Sequence, residues 1–325
     1  MDIIRPRLTD YHGIHKNQAD LDFAIQFFDE DIPLYVDPFL LWKSPSQQDN
    51  ALYTTITNSF NHLNYLIKKK QEDEALSILI DISECHEVGL GVSKTRKGTK
   101  ISEKQAQDIL SLFKDIPEYS QFGFTHFEII QLYISGISKD RISDITCNYL
   151  KSFLIDYTIE QCEINKIPTE GVILDSIYNY KTNKLDTNQK VYLPVNPLTK
   201  EPLIFTPKRW LRFNTWINYE DYFQKYCPRD EIFNPDEHEE RVKVLNFNRE
   251  HYGTIEGYIE YKIKTSEDCK NDPLFSQIPI LSAKRKLSQI LKLNTGKEHG
   301  ADMQYEELSA SLLASLFYPH LDSAQ

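Results

Sequence analysis

Residues 138–168, SKDRISDITCNYLKSFLIDYTIEQCEINKIP, constrain the fold more than any other stretch of the chain. Ile142, Ile145, Tyr149, Phe153 and Tyr157 recur at steps of three or four, the period of one buried helix face. Pro168 cannot continue a helix, so the spacing predicts one amphipathic helix that ends just before it. Such a stripe needs a core to cover it. Apolar residues at helical spacing supply partners over 51–69 and 72–85, and Ser102 is placed to cap a further helix that stops before Pro117. The region 124–166 reads as helical with a break near Gly136.

Beyond Pro168 the pattern changes. KVYLPVNPLTKEPLIFTP (190–207) predicts a β-hairpin around a Pro/Asn turn. Ile32 to Val36 predicts a short strand that Pro33 and Pro38 confine to an edge or an irregular segment. A helical region is expected over 239–264. A basic segment, KRKLSQILK (284–292), then leads through a glycine loop to a final helix. The expectation is an α+β protein, predominantly helical with a small β-hairpin region. It divides into a mainly helical part (1–170), a mixed α/β part (171–275) and a C-terminal part (276–325).

Charge narrows the function classes. The chain of 325 residues carries a formal net charge of −11, so any nucleic-acid face has to be a local basic patch on an acidic protein. Cys85, Cys147, Cys162, Cys227 and Cys269 are scattered and form no C-x-x-C, which argues against a disulfide framework or a structural zinc site and fits a reducing cytoplasm. The N-terminus lacks the apolar core of a signal peptide. No apolar run approaches the ~18 residues of a membrane span, so no membrane association is expected.

Two basic segments are candidates for phosphate contact. In EVGLGVSKTRKGTK, Lys94, Arg96, Lys97 and Lys100 lie among Gly89, Gly91 and Gly98, where lysines and backbone amides can cradle phosphates. The segment does not match G-x-x-x-x-G-K-[ST], and a solvated connecting loop is the commoner outcome. In PKRWLRFNTW, Lys208, Arg209 and Arg212 interleave with Trp210, Phe213 and Trp216, a pattern that suits either a phosphate grip or a helix with an aromatic core side. Asp140 and Asp144 share a helix face, but Lys139, Arg141 and a Ser138 cap account for them locally. Cys85 and His86 with Glu84 and Glu87 include thiol and metal-binding residue types, yet sequence neighbours point to different faces. In the final helix Asp302 can act as cap. Glu306 lies beside a largely apolar face, so it is expected to be half-buried, as a metal-assisting carboxylate or as a first-turn glutamate tuned to the helix dipole.

Taken together, DIPLYVDPFLLWKSPS, CHEVGLGVSKTRKG, GISKDRISDITCNYLKSFLIDYTIEQC, TPKRWLRF and IPILSAKRKL resemble the N-terminal region of a group of bacterial proteins that carry a restriction-endonuclease-like, PD-(D/E)XK-type domain. Those proteins are accessory or phage-defence genes. In that resemblance YEELSASLLASLFYPHLD is similar to the opening helix of the nuclease fold, with Glu306 as its helix glutamate. The metal-binding aspartate and the (D/E)-x-K strand would follow Gln325, so the chain reads as the front of a nuclease. The implied activity is Mg²⁺-dependent phosphodiester hydrolysis, with the preceding residues recognising DNA, a phage component or a partner protein. The competing expectation is a non-enzymatic sensor or interaction module, working with a protein partner or as a homo-oligomer.

Overall fold

Asp37 and Ser46 each end a short extended segment and accept a hydrogen bond from the first turn of a helix, which sets the start of the helical array. The computed structural model describes residues 7–44 (17 and 19 excepted), 46–93, 96, 98–234, 240–265, 286–293 and 300–317. The chain opens with α1 (Leu8–Tyr11), β1 (Tyr35–Val36) and α2 (Pro38–Trp42). It continues through α3 (Gln47–Lys68), α4 (Glu72–Asp81), α5 (Glu103–Asp115), α6 (Pro117–Phe122), α7 (Lys139–Tyr149) and α8 (Lys151–Asn165). Four strands follow, β2 (Glu170–Leu174), β3 (Ile177–Asn179), β4 (Lys184–Asp186) and β5 (Gln189–Leu193), then β6 (Leu211–Arg212). Helices α9 (Tyr219–Lys225), α10 (Arg229–Ile232), α11 (Arg241–Glu250) and α12 (Tyr252–Thr265) come next, and a last helix spans Ala301–Phe317. The fold is α+β and dominated by helix, with antiparallel pairs β1–β6, β2–β5 and β3–β4. One apolar cluster runs from Ala24 through α3, α5 and α7 to Tyr258.

Several expectations hold. Ser102 caps α5 through a full capping box with Gln105, and Pro117 sits in the first turn of α6. Others are corrected. The helix expected to run to Pro168 is two helices that meet at Leu150 (φ −97°, ψ 9°). The break falls between two side chains that both reach the 82–87 segment: Asn148 donates to the carbonyls of Ile82 and Glu84, and Lys151 pairs with Glu87. Ser138 occupies the N-cap of α7 but its hydroxyl makes no capping bond there. It is the 3₁₀ turn Phe127–Leu132, not α-helix, that leads to Gly136. The region 239–264 divides at His251 into α11 and α12. Within Ile32 to Val36, only Tyr35–Val36 is strand, and Ile32 makes an isolated bridge to Leu90.

The predicted 190–207 hairpin forms only next to its turn. Asn196 Oδ1 accepts from the N–H of Leu198, the N–H groups of Asn196 and Leu203 donate to Glu201 O and Pro194 O, and a bridge joins Val195 to Pro202. Strand β5 pairs instead with β2. The rest of the second half, 204–206, runs buried through the core, where its backbone is taken by other segments: Ile204 N–H donates to Glu87 O, Phe205 N–H to Thr158 Oγ1, and Thr206 O accepts from Ala24. Gln26, buried beside it, bridges Val88 O and Ile204 O.

At the same crossing lies the ion pair Lys151–Glu87 (2.9 Å), with both side chains 6% exposed. Burial alone would raise the Glu87 carboxyl, but Lys151 and then His86 outweigh it and bring it down to about 2. Glu87→Gln leaves the Lys151 ammonium buried without a counter-charge, and chemical denaturation is expected to show a loss of about 3–5 kcal/mol. Because the folded-state value lies below the ordinary 4.5, this stabilisation is present above pH 4.5 and is lost as pH falls toward 2. An acid titration followed by circular dichroism is expected to show that dependence in the wild type and a flatter profile in Glu87→Gln.

Candidate functional site

A cleft of about 720 Å³ opens where the N-terminus of α7, the loop after β6, and helices α9, α11 and α12 meet. Its walls follow from pairing and capping. Tyr35 faces Arg212 across β1–β6. Asn218 caps α9 by accepting from the N–H of Asp221 (2.9 Å), while its amide donates to Thr215 O (2.6 Å). The N–H of Trp216 donates to the buried Asp37 carboxylate (2.8 Å). Burial pushes the Asp37 carboxyl up to about 7, even though the Trp216 amide and Arg212 oppose the shift.

Five cations line this cleft, Lys139, Arg212, Lys225, Arg241 and Lys262, against three carboxylates, Asp140, Glu220 and Asp221. Asp221 is already engaged by Lys225 (2.6 Å), Lys262 (2.8 Å) and the hydroxyl of Tyr258 (2.8 Å). Burial would raise its carboxyl, but those bonds hold it below its ordinary value. Two cations differ. Lys139 Nζ donates only to neutral oxygens, the Phe213 carbonyl (3.1 Å) and Asn214 Oδ1 (2.8 Å), and burial lowers its pKa. Arg241 donates from Nη2 to the carbonyls of Gln131 and Ile137, lies 4.0 Å over the Tyr219 ring, and its buried Nε has no acceptor. Neither cation forms an ion pair with a carboxylate among the described residues. Arg212 lies flat over Trp216 at 4.1 Å with Asp37 at 3.8 Å.

Of the described residues expected at a phosphate site, only Arg212 reaches this cleft. Arg96 is buried (4% exposed) and donates to the carbonyls of Phe27, His86 and Glu87, so it is a structural cation and not a surface contact. One glycine of the pattern around it has the same cause: Gly89 sits at φ +60°, where a Cβ would run into the Arg96 guanidinium. Lys94 and Lys97 lie outside the described residues. Lys100 pairs with Asp81. Arg209 forks onto Asp49 with two 3.0 Å bonds and also faces Asp22, and partly buried Lys208 reaches the carbonyl of Gln18. Glu306 is exposed on the last helix, contrary to the expected half-burial, and Asp302 lies inside that helix and not at its cap. Cys85 is buried, and burial pushes its thiol well up, which removes it as a thiolate nucleophile at neutral pH. No group of three or more His, Cys, Asp or Glu among the described residues is arranged to hold a metal ion.

The sequence reading missed Lys139, Arg241 and Lys262 as site residues. Their only shared signal is convergence of α7, α11 and α12, which no local pattern carries. The alternation of cations and aromatics in PKRWLRFNTW was the usable hint, and it pointed to Arg212 and Trp216.

No helix among the described residues is long and apolar enough to cross a membrane. No curated protein and no solved structure matches the chain. The model of one family does match, over residues 13–218, a span that holds α2 to α8, all six strands and the Lys139, Arg212 and Trp216 walls of the cleft. The chain therefore belongs to the family described as Domain of unknown function (DUF8370).

Proposed function

We propose that this chain is the recognition part of a bacterial defence system whose effector is a metal-dependent DNA endonuclease, and that recognition consists of seating an anionic group in the cleft beside Lys139 and Arg241. The observation that supports this most is the pair of half-buried cations with no carboxylate partner in a protein whose net charge is −11. Glu220 and Asp140 act on Lys139 without contacting it; a cation taken partly out of water without a direct ion-pair partner is costly, and an incoming anion offsets that cost. The effector assignment draws on the segments that resemble PD-(D/E)XK proteins. The described residues do not fit a Mg²⁺ site, because no group of three or more His, Cys, Asp or Glu among them is arranged to hold a metal ion. The hydrolytic step is therefore not assigned to them, and their own task is to bind and orient.

The sensing role makes a direct prediction. At matched ionic strength, phosphate, pyrophosphate or heparin is expected to raise the melting temperature of the wild type above its value in chloride. The double variant Lys139→Ala/Arg241→Ala is expected to lose that increment, while Lys190→Ala, on exposed β5, keeps it. Equal stabilisation of wild type and double variant would remove the cleft from recognition.

A further inference from the structure

Resting on the recognition reading, we infer that the cleft is built for a compact multivalent oxyanion, the size of a pyrophosphate or a small polycarboxylate, and not for a nucleic-acid strand. Three observations converge. The volume, about 720 Å³, lies in the range typical of small-molecule sites. The aromatic rings that a strand would stack on are already engaged. Trp216 stacks with Phe39 (centroids 5.3 Å apart, 3° between planes) and carries the Arg212 guanidinium at 4.1 Å. Tyr219 packs against Phe223 and carries the Arg241 guanidinium at 4.0 Å. Single-strand binding grooves depend on rings available to successive bases, and both of these already carry a guanidinium.

The third observation is the distribution of charge. Glu220 is exposed in the lining, and Asp140 and Asp221 share it. A run of evenly spaced phosphates would have to pass all three carboxylates, whereas a compact anion at Lys139 is opposed by the fields of Glu220 and Asp140 alone and is drawn by the Lys139 and Arg241 charges. The stacked guanidiniums make the site rigid. With Arg241 fixed on Tyr219 and on two carbonyls, little side-chain freedom is lost when an oxyanion arrives. The two lysines on Asp221 add a reserve of charge, since Lys262 also lies 5.6 Å from the Trp216 ring, beside the same wall.

The test is isothermal titration of the full chain with inorganic pyrophosphate, with citrate and with a 20-nucleotide single strand. One-to-one saturable binding of pyrophosphate or citrate is expected, the two arms separating a phosphoryl from a carboxylate ligand. Lys139→Met, which removes bonds to two neutral oxygens and the ammonium's contacts with the Tyr35 and Phe213 rings, and Arg241→Lys, which keeps the charge but not the fork, should each weaken it by about tenfold or more. Melting curves without ligand establish that both variants are folded. Binding of the strand alone, abolished by the same variants, would overturn the compact-ligand inference and leave the recognition reading standing. Absence of binding by all three probes, or binding indifferent to both variants, would overturn both.

Discussion

The Asp37 carboxylate is the constraint on which the cleft depends. It is 1% exposed and stands at the junction of β1 and α2. Its backbone N–H donates to Trp210 O, one carboxylate oxygen accepts from the N–H of Phe39, and the other accepts from the N–H of Trp216 and faces Arg212. A single residue thus caps a helix, holds both ends of the 210–216 loop through its backbone and its side chain, and orients a guanidinium. A buried carboxyl pays a heavy desolvation penalty, and the upward shift to about 7 records it. Hydrophobic residues could fill the volume, but none could hold two backbone amides from segments nearly 180 residues apart in the sequence.

The same use of charge as internal fastening recurs through the molecule. Arg96 ties the glycine loop to the carbonyls of Phe27, His86 and Glu87. Arg209 locks the β6 approach to α3 through Asp49, and Arg141 links α7 to Glu84, Asp144 and the carbonyl of Thr99. Lys151 enters the core for Glu87. Basic residues that look available in the sequence are therefore engaged in the fold. This gives the cleft its meaning: Lys139 and Arg241 are only partly buried, and their hydrogen-bond partners are neutral carbonyls and an amide oxygen.

How much was legible follows from how local each signal is. The start of α5 is written in adjacent residues, a serine and a reciprocal glutamine three positions on, and such a signal survives any tertiary context, whereas the start of α3 lies at Gln47, before the expected Ala51. The buried stripe Ile142, Ile145, Tyr149 was equally plain. The break at Leu150 was not, because it depends on Asn148 and Lys151 finding carbonyls and a carboxylate some 65 residues earlier. Strand pairing failed for the same reason. The sequence from 204 to 206 has the composition of a strand, but its backbone groups are engaged by Glu87, Thr158 and Ala24, so β5 was free to pair with β2.

The candidate site lies at the far end of that scale. Arg212 and Trp216 were visible as an alternation of cation and ring four residues apart, but the alternation could not say which cations in the segment were free. Arg209, three residues before Arg212, forks onto Asp49 and is lost to recognition, whereas Arg212 turns onto Trp216 and stays in the cleft wall. The difference is the strand pair β1–β6, which sets Arg212 opposite Tyr35 and leaves Arg209 in the turn before it, facing α3. A two-residue strand thus decides which of two neighbouring arginines fastens the fold and which can meet a ligand. That selection is a property of register, and composition or spacing in the chain does not contain it.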